Sequence, residues 1–464
     1  MPASKRLPYT SDPLLLLVAD VWLFLVLSFT WPITAGLLSI VLPLKSRGSG
    51  DLDELAFTWR NIWASSLHFV LFAAQTVFII GVPLSAVFPL TSVPVWLAII
   101  ILFMTGNAYF CGLLNGKPGY IYGAGGEYAS NNKEPVDKWS SKFPKHKGER
   151  WVFINGVAVG SHWMRSNLER LARTFHRPIL GIHNRTYGIP FDVMECILQR
   201  TFGYATLDIR TAYKTISALL EDDEVKKLVL IAHSQGAIEA SMVLDALYAT
   251  IPQSKTAKLE IFTFGNASNH WNCPFDNSKH RVIKHIEHYA NKGDWVARFG
   301  ILHFRPRAGV AALTNPPSNE VVDVPASMRS NGSRTPVDST AVTKESTFEI
   351  ENERHGKHRF VGRLFLRDAS GHQLNQHYLD NIFPLKADLT GVMDIEDCDF
   401  MNARFSAHIL AMDDTVELIF EERVSQRTNG TRVENGTNES RLKDECRLWK
   451  YVNGQVPEDW IPVA

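Results

Sequence analysis

Five cysteines in 464 residues, at Cys111, Cys196, Cys273, Cys398 and Cys446, are odd in number and widely spread. They form no CxxC and no metal-type spacing, which argues against a disulfide framework or a structural zinc site. A surplus of either charge is also missing: 48 Lys and Arg stand against 48 Asp and Glu, so nothing in the bulk charge supports nucleic-acid binding. HExxH does not occur, and the offsets between His280, His285 and His288 keep the three from sharing one face of a strand, so no metal is expected. The glycine-rich GAGGEY stretch from Gly123 to Tyr128 has no strand before it and no GK[ST] after it, and reads as a connector rather than a phosphate loop. There is no internal repeat.

The most informative absence is local. From Ile62 to Gly116 there is no Asp, Glu, Lys or Arg, and between Pro13 and Leu44 the only charge is Asp20. Runs of this kind are rare on a water-exposed fold, and residues 1–116 therefore read as a membrane region with about three transmembrane helices. The spans are Leu14 to Leu44, Ile62 to Val82 and Val93 to Leu113, each long enough for the ~20 residues that cross a hydrocarbon core. The first is overlong, with Trp31-Pro32 near its middle, and reads either as one tilted or kinked helix or as a hairpin that dips in and returns. Its length and the two spans that follow argue against a cleaved signal peptide.

Lys45, Arg47 and Arg60 lie in the loop before the second span, whereas the link from Pro83 to Ser92 is uncharged. The positive-inside tendency then puts that loop and everything after Lys117 in the cytosol. The expected location is multi-pass in the endoplasmic reticulum or another endomembrane. Against it stand six N-x-S/T sequons, at Asn184, Asn266, Asn331, Asn429, Asn435 and Asn438, two of them at the ends of expected strands where a glycan fits badly.

After a linker at 117–148, short apolar runs alternate with helix-length segments, the pattern of an α/β fold with a mainly parallel sheet. Strands are expected at Trp151–Asn155, Ile179–His183, Lys227–Ala232, Leu259–Phe264 and Val282–Tyr289. Helices are expected from about Trp163 to Thr174, Asp208 to Leu220 and Ala237 to Ala249. A Ser, Thr and Pro-rich stretch at 315–356 reads as a disordered insertion, and 401–464 as a charged C-terminal extension beyond a domain at 149–400.

Within that domain, KKLVLIAHSQGAIEASMVLDAL (Lys226 to Leu247) runs from a buried strand through Ala232-His233-Ser234-Gln235-Gly236 straight into a helix. A sharp strand-to-helix turn that lifts a serine hydroxyl above a sheet needs small residues two positions either side, and here these are Ala232 and Gly236. On these residues the stretch from Arg150 to Leu385 resembles the α/β-hydrolase superfamily. It is closest to serine lipases and esterases with an A/G-H-S-x-G elbow, including membrane-anchored lipase-like proteins of fungi.

The resemblance implies the chain order Ser, acid, His. Ser234 would be the nucleophile. Asp294, on the Asn291-Lys292-Gly293-Asp294 turn beyond a strand, would be the acid. His372, after Gly371 in the loop before the last helix, would be the base, with His377 as the alternative. The oxyanion would be held by backbone N–H groups of Gln235 and Val157, the latter in the Gly156 loop after the first core strand. His162 reads as a helix-start polar residue and His183-Asn184 as neighbours of the site. No metal or organic cofactor is implied.

The function expected is a membrane-anchored serine hydrolase cleaving a lipid or other hydrophobic ester, with the lipid bilayer as partner. An acyltransferase using the same triad and a non-catalytic membrane scaffold of the same fold are the alternatives.

Overall fold

The computed structural model describes residues 7–29, 36–44, 48–87, 93–117, 121–122, 146–278, 280–304, 311–313, 360–412, 415–422 and 441–459. The GAGGEY stretch, the 315–356 insertion, Trp31-Pro32 and the sequons at Asn331, Asn429, Asn435 and Asn438 lie outside these residues.

Helices α1 (Pro13–Ser28), α2 (Trp59–Val87) and α3 (Val93–Asn115) come first, followed by α4 (Ser161–Phe175), α5 (Ile189–Phe202), α6 (Leu207–Glu221) and α7 (Gln235–Thr250). The strands are β1 (Ile121–Tyr122), β2 (Glu149–Ile154), β3 (Leu180–Ile182), β4 (Lys227–His233), β5 (Leu259–Phe264), β6 (His285–Asn291), β7 (Ala311–Leu313), β8 (Arg363–Arg367), β9 (Phe405–Met412) and β10 (Thr415–Glu422). Among the described residues they form one sheet in the order β1-β3-β2-β4-β5-β6-β8-β10-β9-β7. The central strands β3, β2, β4, β5, β6 and β8 are all parallel, as the strand–helix alternation predicts.

Both faces of this sheet are covered, which is why β4 reads as an unbroken apolar run. Leu228, Leu230 and Ala232 point into a core shared with α6 and α7. Val229 and Ile231 point the other way, into a core with Met164, Leu168 and Phe175 of α4. Helix α5 has no counterpart in the sequence reading. Its Pro190 and mixed polarity hide a helix that packs against α1, α2 and α7.

The C-terminal part corrects the domain limits. β10 runs parallel to β8, and β9 pairs antiparallel with β10, so the sheet does not stop at residue 400. Leu442, Cys446, Leu448 and Tyr451 are buried in the α4-side core. Arg447 and Lys227 close on buried Glu260 at 2.8 and 3.0 Å, and Tyr451 donates to it at 2.7 Å. Residues 442–459 are thus part of the domain, not an extension from it.

Two helices, Trp59–Ser85 within α2 and Val93–Asn115, are long and apolar enough to cross a membrane. The first expected span differs. Its helix α1 has 16 residues, and the chain then makes a tight turn at Leu37–Ile40. Tyr9 stacks on His270 with ring centroids 4.3 Å apart, Asp20 pairs with Arg200 at 3.1 Å, and the Gly48 amide donates to Asp380 at 2.7 Å. Both ends of the segment are therefore held by the same domain.

Candidate active site

The carboxyl ends of β4, β6 and β8 bring three separate loops together on one edge of the sheet, where open α/β sheets bind ligands. Ser234 follows β4 directly and opens α7 with φ 57° and ψ −123°. A non-glycine residue with this backbone is strained, and such strain persists only where the surroundings enforce it. The enforcement is visible. A Cβ on Gly236 would lie 2.4 Å from the Ile154 carbonyl oxygen, and one on Gly156 would lie 2.4 Å from the Ser234 Cβ. β2 and α7 therefore approach so closely that only glycine fits at both positions. Ala232 is completely buried between the sheet neighbours, as the elbow requires of the other small residue.

Asp294 lies on the turn after β6 and is itself fully buried. Its Oδ1 accepts the Val296 amide at 2.8 Å, which starts the short helix Trp295–Phe299. Its Oδ2 accepts both His372 Nδ1 at 2.8 Å and the Tyr378 hydroxyl at 2.6 Å. Burial alone would raise this carboxyl, but the His372 ring, the Tyr378 hydroxyl and the Val296 amide outweigh it and hold Asp294 below the usual aspartate value.

Since Oδ2 accepts from Nδ1, the imidazole keeps its proton there and presents Nε2 as an acceptor. That Nε2 is buried and has no hydrogen-bond partner among the described residues. The ring is held from two further sides. His233 stacks on it with centroids 4.6 Å apart, and His233 Nε2–H donates to the His372 carbonyl at 2.9 Å. Burial, followed by the nearness of His372, lowers the His233 pKa to about 3, so this imidazole stays neutral. Gly265, with φ 53°, passes beneath: a Cβ there would lie 2.8 Å from His372 Cε1 and 3.0 Å from Asp294 Oδ2.

His377, the alternative base, is engaged elsewhere. Its Nδ1 accepts the Gln373 amide at 2.9 Å and its Nε2 donates to the Pro43 carbonyl at 2.8 Å. Both nitrogens are used by backbone, and the ring fastens the 37–43 turn to the domain. Of the two histidines, His372 is the one against Asp294.

Val157 and Gln235 lie at the ends of β2 and β4, and neither backbone amide donates a hydrogen bond among the described residues. Side chains brace the two loops. Asn155 Nδ2 donates to the Asn184 carbonyl at 2.8 Å, and Asn184 Nδ2 donates to Gln235 Oε1 at 2.8 Å. His183 Nε2 donates to the Val159 carbonyl at 2.8 Å, and Asp192 accepts the Ala158 amide at 2.9 Å. His183-Asn184 thus borders the site, whereas His162 lies away from it, bonded to Asn61 at 2.9 Å.

The sequence reading missed Tyr378, Asp192 and Asn155. Each acts through a partner on another loop, which leaves no local trace in the sequence. Asn184 and Asn266 are buried with their side-chain amides bonded inside the domain, so neither sequon is open to a glycan in the folded chain.

The arrangement holds a serine at a strained turn, a histidine oriented by a buried carboxylate, and two free amides at the ends of neighbouring strands. Those are the parts needed for nucleophilic acyl transfer. Comparison of the chain with protein-family models, curated proteins and solved structures returned no match.

Proposed function

We propose that this protein is a membrane-anchored serine hydrolase of the α/β-hydrolase type that cleaves a lipid or other hydrophobic carboxylic ester. The observation that carries the reading is the His372–Asp294 contact of 2.8 Å beside a serine held at φ 57°. Asp294 and His372 are 78 positions apart and come together at the ends of β6 and β8, on the same edge of the sheet as the serine loop after β4.

Ser234 Oγ attacks the ester carbonyl while His372 Nε2 takes its proton, and Asp294 stabilises the imidazolium through Nδ1–H. The tetrahedral oxyanion is held by the Val157 and Gln235 amides. Collapse passes the proton to the departing alkoxide and leaves an acyl-Ser234, which water attacks with His372 again as base. No step requires a metal or an organic cofactor.

Two apolar helices long enough to cross a bilayer adjoin the domain, and this supports a substrate that partitions into lipid. A fluorophosphonate probe tests the proposal. Wild-type protein is expected to label and Ser234→Ala to remain unlabelled; an unlabelled wild type, or equal labelling of both, would refute it. His372→Ala is expected to lose ester turnover by about a millionfold, the cost of removing the base of a serine triad, whereas His377→Ala keeps the base.

A further inference from the structure

Helix α1 buries Leu16, Asp20 and Leu27 against the domain, with Leu23 and Phe24 packed beside them. Its other side is equally apolar, yet Val18, Trp22 and Phe29 are 67%, 68% and 84% exposed. A water-facing helix carries polar residues there. At ~1.5 Å per residue its 16 residues reach about 24 Å, short of a ~30 Å hydrocarbon core, and both ends of the segment return to the same domain. The helix does not cross a membrane, and still its outer face is built for one.

The neighbouring helix repeats the pattern. α5 packs on α1 and exposes Met194, Leu198 and Phe202, a stripe at spacing four, although α5 belongs to the soluble domain. At its start it joins the membrane hairpin. Phe191 meets Phe103 at 6.1 Å, and Gln75 of α2 donates to the Tyr187 carbonyl at 2.6 Å. Exposed apolar residues are therefore carried by α2, α3, α5 and α1, with α5 packed against both α2 and α1. Contiguous patches of this extent are rare on soluble monomers.

Beneath that surface lies the candidate site. The inner face of α1 and Ile40 share an apolar cluster with Val157, Ile238 and Trp295, residues flanking the oxyanion loop, the serine and the acid. Phe24 meets Trp295 at 5.2 Å, and the His372 amide donates to the Ile40 carbonyl at 3.1 Å. Ser234 and His372 are 2% and 4% exposed. α1 and the 37–43 turn thus roof the site.

We infer that the α1–α5 face is docked in a lipid bilayer, with α1 lying in the plane of the interface, and that the ester reaches Ser234 from the lipid phase under α1 rather than from water. The bilayer is the occupant that continuity with α2 and α3 selects. The docking stands on the surface alone; the route rests on the proposed hydrolase reading.

Two measurements test it on the full-length protein in phosphatidylcholine vesicles. The native cysteines are all buried, so single Val18→Cys and Leu198→Cys variants take a fluorescent NBD label selectively. Quenching of both labels by doxyl-phosphatidylcholine is expected, as strong as for a Val77→Cys label on α2, while a Lys214→Cys label on exposed α6 is quenched by aqueous iodide instead. Iodide quenching at positions 18 and 198 would overturn the docking.

For the route, Leu198→Asp is expected to cut hydrolysis of a vesicle-embedded long-chain ester at least tenfold. Turnover of a water-soluble short-chain ester and fluorophosphonate labelling should stay within twofold of wild type. Equal losses on both esters, or none on either, would overturn it. Failure of the wild type to label at all would strike the hydrolase reading, with the quenching result still deciding the docking.

Discussion

The hydroxyl of Tyr378 donates to Asp294 Oδ2 at 2.6 Å, the same oxygen that His372 Nδ1 holds at 2.8 Å. Tyr378 also accepts the Asn291 amide at 3.2 Å, so it ties the acid to the strand that delivers it. A hydrogen bond to a charged group contributes about 1.5–3 kcal/mol. Tyr378→Phe is therefore expected to lower kcat by about tenfold with KM unchanged, measured on a chromogenic ester. An unchanged kcat would remove Tyr378 from the positioning of Asp294.

Gly265 leaves no room for a methyl group beside His372. With φ 53° and 2.8 Å to the ring, Gly265→Ala both strains the backbone and displaces the imidazole. Misplacement on the scale of an ångström costs roughly a hundredfold in rate. Ester turnover should fall by about that factor while the melting temperature falls by only a few degrees.

The Asn155–Asn184–Gln235 chain predicts an effect confined to the transition state. Asn184→Leu removes the donor to Gln235 and keeps the volume approximately. A decrease in kcat of about tenfold at constant KM is expected, because the oxyanion donors drift apart while substrate binding is untouched. A change in KM alone would argue against this role.

Glu239 on α7 is fully buried, and neither carboxylate oxygen has a hydrogen-bond partner among the described residues. Burial, then the nearby Asp208 and Glu195, raise its pKa well above the usual value. The folded chain thus keeps a proton that the unfolded chain gives up above pH ~4.5, and stability declines as pH rises from there. Glu239→Gln abolishes that loss. Its melting temperature should match wild type near pH 5 and exceed it increasingly towards pH 8; a constant difference across this range would show that Glu239 does not titrate.

Burial of Asn184 and Asn266 leaves Asn331, Asn429, Asn435 and Asn438 as the sequons that report sidedness. With the domain in the cytosol, the electrophoretic mobility of the protein from cells is expected to be unchanged by an endoglycosidase, and a shift would place the domain in the lumen.

What was legible in the chain follows from how local each signal is. β4 and the Ser234 turn lie within a dozen residues, so strand, elbow and helix could be read together. Asp294 and His372 could be paired across the 315–356 stretch because the reading depends on sequence order and not on spacing. α5 escaped notice since its exposed side carries Met194, Leu198 and Phe202, which blurs the contrast that marks a helix. β10 was missed because its short apolar run Leu418-Ile419-Phe420 is bounded by Glu417, Glu421 and Glu422 in a segment whose neighbours read as a tail. The grip of Ile40 and Pro43 on His372 and His377 joins positions more than 300 apart and has no local trace.

The charged knot around Glu260 sets an order of events during synthesis. Glu260 and Glu287 lie on β5 and β6, deep in the sheet, and Glu287 accepts the Arg447 amide at 2.6 Å while the Arg447 guanidinium meets Glu260. Until residues 442–459 have left the ribosome, Glu260 has Lys227 and Glu287 has the Tyr289 hydroxyl, but both lack their contacts from Arg447, Leu448 and Tyr451. At ~5–20 residues per second the apolar helices α2 and α3 emerge many seconds earlier. The two long apolar helices are thus outside the ribosome before the sheet that carries Ser234 can close, and ribosome-bound chains halted before Arg447 should be protease-sensitive across β4 to β6.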